Sequence, residues 1–247
     1  MSDAPPRSIG AVGTIRQALV EQIGQGLLPP NGKLPAERRL SELFDTTRIT
    51  LREALSQLEA EGLIYREERR GWFVSPARVR YNPLARTHFH AMVEAQGRTP
   101  ATEVVHARLV PASGEVCALL ALPALPALSK VIQIRRVRRI DGRQVLYVEH
   151  NLNPAYFPGL LELDLTRSLT ELYAGQYGIR YGRVRFEITP IALAADAALA
   201  LRAAAGSPAL QITRVNRDQF DRIIDCDLEY WRHDAIQVSV EVPEQAE

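Results

Sequence analysis

The chain has 247 residues, room for two domains with cores of their own, and its 46% hydrophobic and 24% charged residues are an ordinary soluble globular composition. Its formal net charge is +1, and the first 80 residues hold 12 Lys and Arg against 10 Asp and Glu, so recognition of nucleic acid would have to rest on where the charges sit. The most apolar run, Cys117 to Leu128, is too short for a bilayer span and holds Pro123 and Pro126, while Cys117 and Cys226 stand far apart in no metal-like spacing, which with no signal peptide suggests reduced thiols in a cytoplasm.

Ile9 to Gly26 reads as a first helix, with Ile15, Leu19, Val20 and Ile23 on one side. Pro35 stands where a second helix starts, because its fixed φ suits a first turn, and Leu40, Leu43 and Phe44 follow at helical spacing. Asp45-Thr46-Thr47 breaks that helix and offers hydroxyls to cap the next. Leu51, Ala54, Leu55 and Leu58 give a third helix one apolar stripe, and Gly62 ends it. The apolar runs Leu63-Ile64-Tyr65 and Trp72-Phe73-Val74, separated by Arg66 to Arg70 and Gly71, read as a hairpin. Helices at a tight turn followed by a hairpin make a winged helix-turn-helix over residues 1–75.

The third helix carries the chemistry. Arg48 and Arg52 are four apart and project from the same side, with Thr47 and Thr50 flanking the first. Arginine binds guanine O6 and N7 with two hydrogen bonds, and threonine touches a base edge or a phosphate, which suits this turn to a DNA major groove. Arg38 is placed to hold the sugar-phosphate backbone, and Arg69, Arg70 and Gly71 at the hairpin tip suit the minor groove. Any one of these arginines is equally well read as an ordinary solvated residue; the whole arrangement is not.

The segments LPAERRLSEL, TTRITLREALSQLEAEGLI and RRGWFV resemble the GntR family of bacterial transcription regulators across the whole first domain. The resemblance puts Arg38, Thr47, Arg48, Thr50, Arg52 and Gly71 at the family's DNA-contact positions. Trp72 departs from it, standing after the wing glycine where the family commonly has a small polar residue.

Residues 76–99 read as a linker and lead-in. Ser75 to Pro83 has little periodicity, and His88 to Ala95 is a short helix. His88 and His90 suit a metal pair, but no third ligand is evident, so no metal is expected. From residue 100 to 247 strands and helices alternate. Val104 to Val110, Val131 to Ile140, Gln144 to Leu152, Val184 to Ile191, Leu210 to Arg217, Ile223 to Tyr230 and Ile236 to Val242 read as strands. Gly114 to Leu122, Leu169 to Tyr177 and Ala194 to Ala205 read as helices, with Ser168 and Glu171 at capping-box spacing. Consecutive hairpins predict a largely antiparallel sheet with helices on one side, an α+β fold.

Asp141-Gly142 is a strong two-residue turn, so Ile140 should pair with Arg143, Arg138 with Val145, Arg136 with Tyr147 and Ile134 with Glu149. Alternation then puts Ile132, Ile134, Arg136 and Arg138 on one face with Val145, Tyr147 and Glu149. Two cations on an otherwise apolar face are costly to bury unpaired, so an anion is expected to meet them. Ser168, at a helix start, adds hydroxyl and backbone donors. A solvated face, or acids pairing the arginines, is the alternative. Asp225, Asp227 and Glu229 alternate onto one strand face with Trp231, which a solvated acidic edge would also explain.

The segments RRVRRIDG, YVEHNL, SLTELYAGQYG and DLEYWRHD resemble the UTRA effector domain of the HutC-type branch of GntR regulators. The resemblance implies a fold like that of chorismate lyase. It gives Arg136, Arg138 and Ser168 to the phosphate or carboxylate of a ligand, and Glu149 and Asp225 to its other end. Thr170 departs, since an aromatic residue is common there. ERRGWFVSPARVRYNP with FHAMVEAQGRTP is similar to regulators of phosphonate utilisation, which implies a ligand such as 2-aminoethylphosphonate.

The expectation is therefore a ligand-responsive DNA-binding regulator, a cytoplasmic homodimer on an inverted-repeat operator of double-stranded DNA. Its effector would be a small anion, whose binding shifts two spacings of the DNA-binding heads. A sugar phosphate or an amino-acid-derived carboxylate is the alternative to a phosphonate. The competing classes are a lyase-like enzyme and an architectural DNA-binding protein. No nucleophile elbow, zinc spacing or phosphate-cradling glycine loop supports the enzyme, and neither cofactor nor membrane is expected.

Overall fold

The computed structural model describes residues 10–85, 87–123 and 129–241. Ile9 and Val242, expected as element ends, lie outside the described residues, as do residues 124–128 of the apolar run. The chain divides into two compact units, residues 1–78 and 79–247.

The described residues of the first unit form three helices and a hairpin: α1 (Ala11–Gly24), α2 (Glu37–Leu43), α3 (Arg48–Ala60), β1 (Ile64–Glu67) and β2 (Gly71–Val74). Ile15 and Leu19 of α1, Leu40 of α2 and Leu51, Ala54, Leu55 and Leu58 of α3 meet in one core with Ile64 and Trp72. The apolar stripe read from the sequence is thus the buried face of α3. Thr47 caps α3, its side chain accepting from the Thr50 amide at 3.2 Å. Gly62 ends the helix with a positive φ of 76°, a conformation an L-residue adopts only with strain. Residues 31–34 run beside β2, with the Leu34 amide donating to the Trp72 carbonyl at 2.9 Å.

The second unit is built on one six-stranded antiparallel sheet, in the order β4 (Pro100–Pro111), β5 (Lys130–Ile140), β6 (Arg143–Leu152), β9 (Ile223–Arg232), β8 (Pro208–Asp218) and β7 (Tyr181–Ala192). Helices cover both faces, not one. Leu169, Leu172 and Tyr173 of α6 (Leu169–Tyr177) pack on Ile132 and Ile134 of β5. Ala197 and Ala198 of α7 (Ala195–Ala200) pack on Val137 of the same strand. Residues of even and odd number point to opposite sides of that stretch. The short helix α5 (Gly114–Leu119) packs with Val131 and Cys226.

The stretch read as a linker holds structure. β3 (Val79–Tyr81) pairs in parallel with β10 (Ile236–Val238), so the last strand lies outside the main sheet. Helix α4 (Phe89–Glu94) buries Phe89 and Val93 against Leu146, Val148 and Trp231. Parallel pairing between strands so distant in sequence leaves no local signal, because no turn connects them.

Candidate functional site

In the first unit, the outward side of α3 presents Arg48 and Arg52, both exposed, and Thr47 bridges to Thr50 through their hydroxyls at 2.9 Å. The Arg52 Nε donates to Glu37 Oε2 at 2.8 Å, and the Trp72 indole Nε1 donates to Glu37 Oε1 at 3.1 Å. Burial alone would raise the Glu37 carboxyl, but these two hydrogen bonds together with the charges of Arg52 and Arg66 hold the group below its ordinary range. Trp72 is therefore part of the core and braces the arginine from behind. Arg38 is largely exposed and its Nε donates to Glu42 at 3.1 Å. At the hairpin tip Arg69 and Gly71 have positive φ values of 60° and 99°, and Arg70 pairs with Glu67.

In the second unit, the α4–α6 side of the sheet carries a cavity of about 400 Å³. Its floor is set by the register. Ile140 does face Arg143 and Arg139 faces Gln144, but Arg138 then faces Leu146. Val145 is the extra residue of a β-bulge. From there every partner shifts by one: Arg136 faces Val148, and Glu149 faces Arg135. Glu149 thus leaves the arginine face, contrary to the sequence register, and pairs with Arg135 on the other side at 3.1 Å. His150 takes its place on the cavity side.

Arg136 is 1% exposed, and its donors meet neutral partners. Its NH1 donates to the carbonyls of Leu165 at 3.2 Å and Arg167 at 3.0 Å, and its Nε donates to His150 Nε2 at 3.1 Å. The far side of that imidazole, Nδ1, lies 2.5 Å from Asp227 Oδ1. Burial pushes His150 down to about 4, against the pull of Asp227, so the ring is neutral at pH 7. It then donates through Nδ1 and accepts through Nε2. Arg136 also fixes the Leu165–Arg167 strap that leads into α6, whose N-cap is Ser168.

Arg138 stacks over the Phe89 ring at 4.8 Å, and among the described residues its buried Nε has no hydrogen-bond partner. Burial, with Arg136 beside it, pushes its guanidinium down to about 9, still cationic at neutral pH. Arg214, from β8, reaches Glu229 Oε1 at 3.3 Å and Asp227 Oδ2 at 3.9 Å, and these acids raise it despite burial. Glu229 also accepts from the Trp231 indole at 2.8 Å. Among the described residues, the guanidinium groups of Arg136, Arg138 and Arg214 thus share the cavity floor with the carboxylates of Asp227 and Glu229, both already engaged.

Asp225 is one step deeper. It is 1% exposed, accepts from Asn216 Nδ2 at 2.5 Å and Tyr181 Oη at 2.9 Å, and does not line the cavity. Burial and the neighbouring Asp227 carboxylate push it up to about 8, whereas Asp227 is held down to about 2 by His150 once burial is overcome. The acids that face the cavity are Asp227 and Glu229. Ser168 and Thr170 line its rim. His88 lies 3.2 Å from Glu171 and His90 lies 2.9 Å from the Thr102 hydroxyl, so each has a local partner.

Residues 11–74 match the bacterial regulatory proteins of the gntR family, and residues 95–237 match the UTRA domain. The chain belongs to the GntR family, in its UTRA-bearing branch. It is 31% identical over 229 residues to the HTH-type transcriptional regulator YihL of Escherichia coli (strain K12), covering 93% of this chain and 96% of that one. The HTH-type transcriptional repressor NagR of Bacillus subtilis (strain 168) is 37% identical over 106 residues, 43% of this chain and 44% of NagR. Among solved structures, PhnF from Mycobacterium smegmatis superposes with a TM-score of 0.64 at 25% identity, over 94% of this chain and all of PhnF. The protein is accordingly a ligand-responsive transcriptional regulator of the GntR family, as its curated relatives YihL and NagR are named transcriptional regulator and repressor. Among its described residues no helix is long and apolar enough to cross a membrane.

Among the cavity residues of this GntR regulator that sequence reasoning did not single out are His150 and Arg214. His150 lies next to the chosen Glu149 and was passed over by the one-residue bulge. Arg214 stands two residues from Asn216 in a strand, a polar alternation that marks a lined face.

Proposed function

We propose that this regulator works as a cytoplasmic homodimer that reads an inverted-repeat operator with α3 and the hairpin wing, and that it controls phosphonate uptake or catabolism genes. In this reading Arg48, Arg52, Thr47 and Thr50 contact bases or adjoining phosphates, Arg38 holds the backbone, and Arg70 with Gly71 enters the minor groove. Arg138, Arg136 and Ser168 receive the anionic group of a phosphonate of the 2-aminoethylphosphonate class. The observation that carries the effector reading is Arg138, a cation with a buried, unsatisfied donor at a cavity floor where cations outnumber acids. An oxyanion would supply the missing acceptor. The first-turn amides of α6 add donors and a favourable dipole. A sugar phosphate is the second reading, favoured by the cavity of about 400 Å³ and by the engagement of Asp227 and Glu229 with protein partners. Both features suit a bulky neutral body better than a short amine.

A ligand that binds one state of the protein more tightly than another shifts DNA affinity by that difference. Calorimetry with phosphonates, sugar phosphates and amino acids tests the effector. An anion that binds wild type, and loses about 2–3 kcal/mol on Arg138→Ala, is the expected result. Binding of a neutral compound untouched by that substitution would sink it. On the DNA side, Arg48→Ala or Arg52→Ala should cost about 1–3 kcal/mol on the specific site, and Arg38→Ala should weaken all sequences and flatten the salt dependence.

A further inference from the structure

Ile49 is 82% exposed in the first turn of α3, between Arg48 and Thr50. Turning about 100° per residue, an α-helix puts Ile49 almost opposite the midpoint of Leu51, Ala54, Leu55 and Leu58. Those four residues are fully buried. Ile49 therefore stands at the pole of the outward face, one turn before Arg52 and Glu53 and in line with Ser56, all three exposed. Among the described residues of the unit, nothing accounts for an isoleucine there. It is no part of the core, and a β-branched residue is a weaker helix former than the straight-chain residues that usually fill such a position. Single exposed apolar residues are common on proteins. This one differs in standing beside Arg48 and Arg52, with the next two turns of its face, Arg52, Glu53 and Ser56, polar.

Among base edges in the major groove, only thymine offers an apolar group, its C5 methyl, and an aliphatic side chain is the matching surface. We propose that Ile49 reads a thymine methyl in each operator half-site and so sets a specificity that the arginines do not. This rests on α3 being the element that enters the major groove. Arg48 and Arg52 would select guanines by paired hydrogen bonds, and Ile49 would select a neighbouring thymine by removing its methyl from water. The outward pole is the part of the helix that goes deepest into the groove, where a methyl contact is fully dehydrated.

The full-length protein tests this with DNA selected from random duplexes. Each thymine of the selected site is replaced in turn by deoxyuridine, which removes only the methyl. Wild type should lose about fourfold in affinity at one thymine per half-site, the equivalent of about 0.8 kcal/mol for one buried methyl group. Ile49→Ala should bind more weakly and show no further loss at that position, while Ile49→Val should keep most of the discrimination. Because the side chain is solvent-exposed, all three proteins should melt alike. A selected site without thymine, or a deoxyuridine penalty that is the same in wild type and Ile49→Ala, overturns the proposal. Arg48→Ala separates the two levels. If it weakens binding while Ile49→Ala does not, α3 reads DNA without Ile49. If neither substitution weakens binding, the recognition-helix reading falls and takes this proposal with it.

Discussion

His150 and Asp225 show how much of the effector unit's chemistry depends on burial. Asp225 is pushed up to about 8 from an ordinary 3.8, so the folded state holds its proton more tightly than the unfolded chain does. Such a group adds stability that is fully present below pH 3.8 and is lost as pH rises through 8. His150, held down to about 4 from 6.5, acts in the opposite sense, its contribution being lost as pH falls from 6.5 toward 4. The two slopes oppose each other between those limits, and above pH 6.5 Asp225 acts alone. Asp225→Asn removes one of them. The stability of wild type relative to Asp225→Asn should therefore fall by about 1.4 kcal/mol per pH unit as pH rises from 5 to 8. Thermal melts of both proteins at pH 5 and 8 check this, and a gap that stays constant would show that Asp225 is ionised throughout. These roles were only half legible in the sequence. The alternation of Asp225, Asp227 and Glu229 put three acids on one face, but which of them lines a cavity depends on what packs over each.

At the scale of elements, local signals carried far. Thr47, the apolar stripe of α3, Gly62 and the Asp141-Gly142 turn all do in the structure what their chemistry suggests. Asp141 and Gly142 both take positive φ, 50° and 81°, and the Asp141 carboxylate accepts from the Thr99 amide at 2.9 Å. What local signals could not carry was the bulge at Val145, three residues past the turn. It reversed the facing of every residue counted beyond it and removed Glu149 from the arginine face. The α7 helix is also shorter than its alanine content suggests. Leu201 ends it and Arg202 takes a positive φ of 52°, so the chain turns before the alanines run out. Thr47 offers the element-scale test. Thr47→Ala removes the α3 cap and should cost about 1 kcal/mol of stability in the first unit, read as a lower urea midpoint. Thr47→Ser should restore most of it, because the acceptor oxygen is kept. If Thr47→Ala melts like wild type, the cap is not what holds the start of α3.

For the whole molecule, the chain reads as two units joined in one regulator, and that division was legible because each carries its own pattern of apolar spacing. The boundary was less so. Val79–Tyr81 and α4 belong to the second unit through contacts with β10 and the sheet that no neighbouring residue announces. A recognition helix reads one half-site, so paired half-sites should require a dimer. Light scattering at micromolar concentration should give twice the chain mass, with symmetric protection of an inverted repeat. A monomer with a one-sided footprint contradicts it.

The most direct test of effector-controlled DNA binding is fluorescence anisotropy of a labelled, selected operator duplex, titrated with protein in the presence and absence of each anion of a phosphonate and sugar-phosphate panel. Wild type should bind the duplex specifically and change its affinity at least fivefold with one anion, the ordinary scale of allosteric coupling. Arg138→Ala should bind the same duplex as tightly but respond to no anion. An affinity that no anion alters, or an Arg138→Ala protein that responds like wild type, contradicts the account.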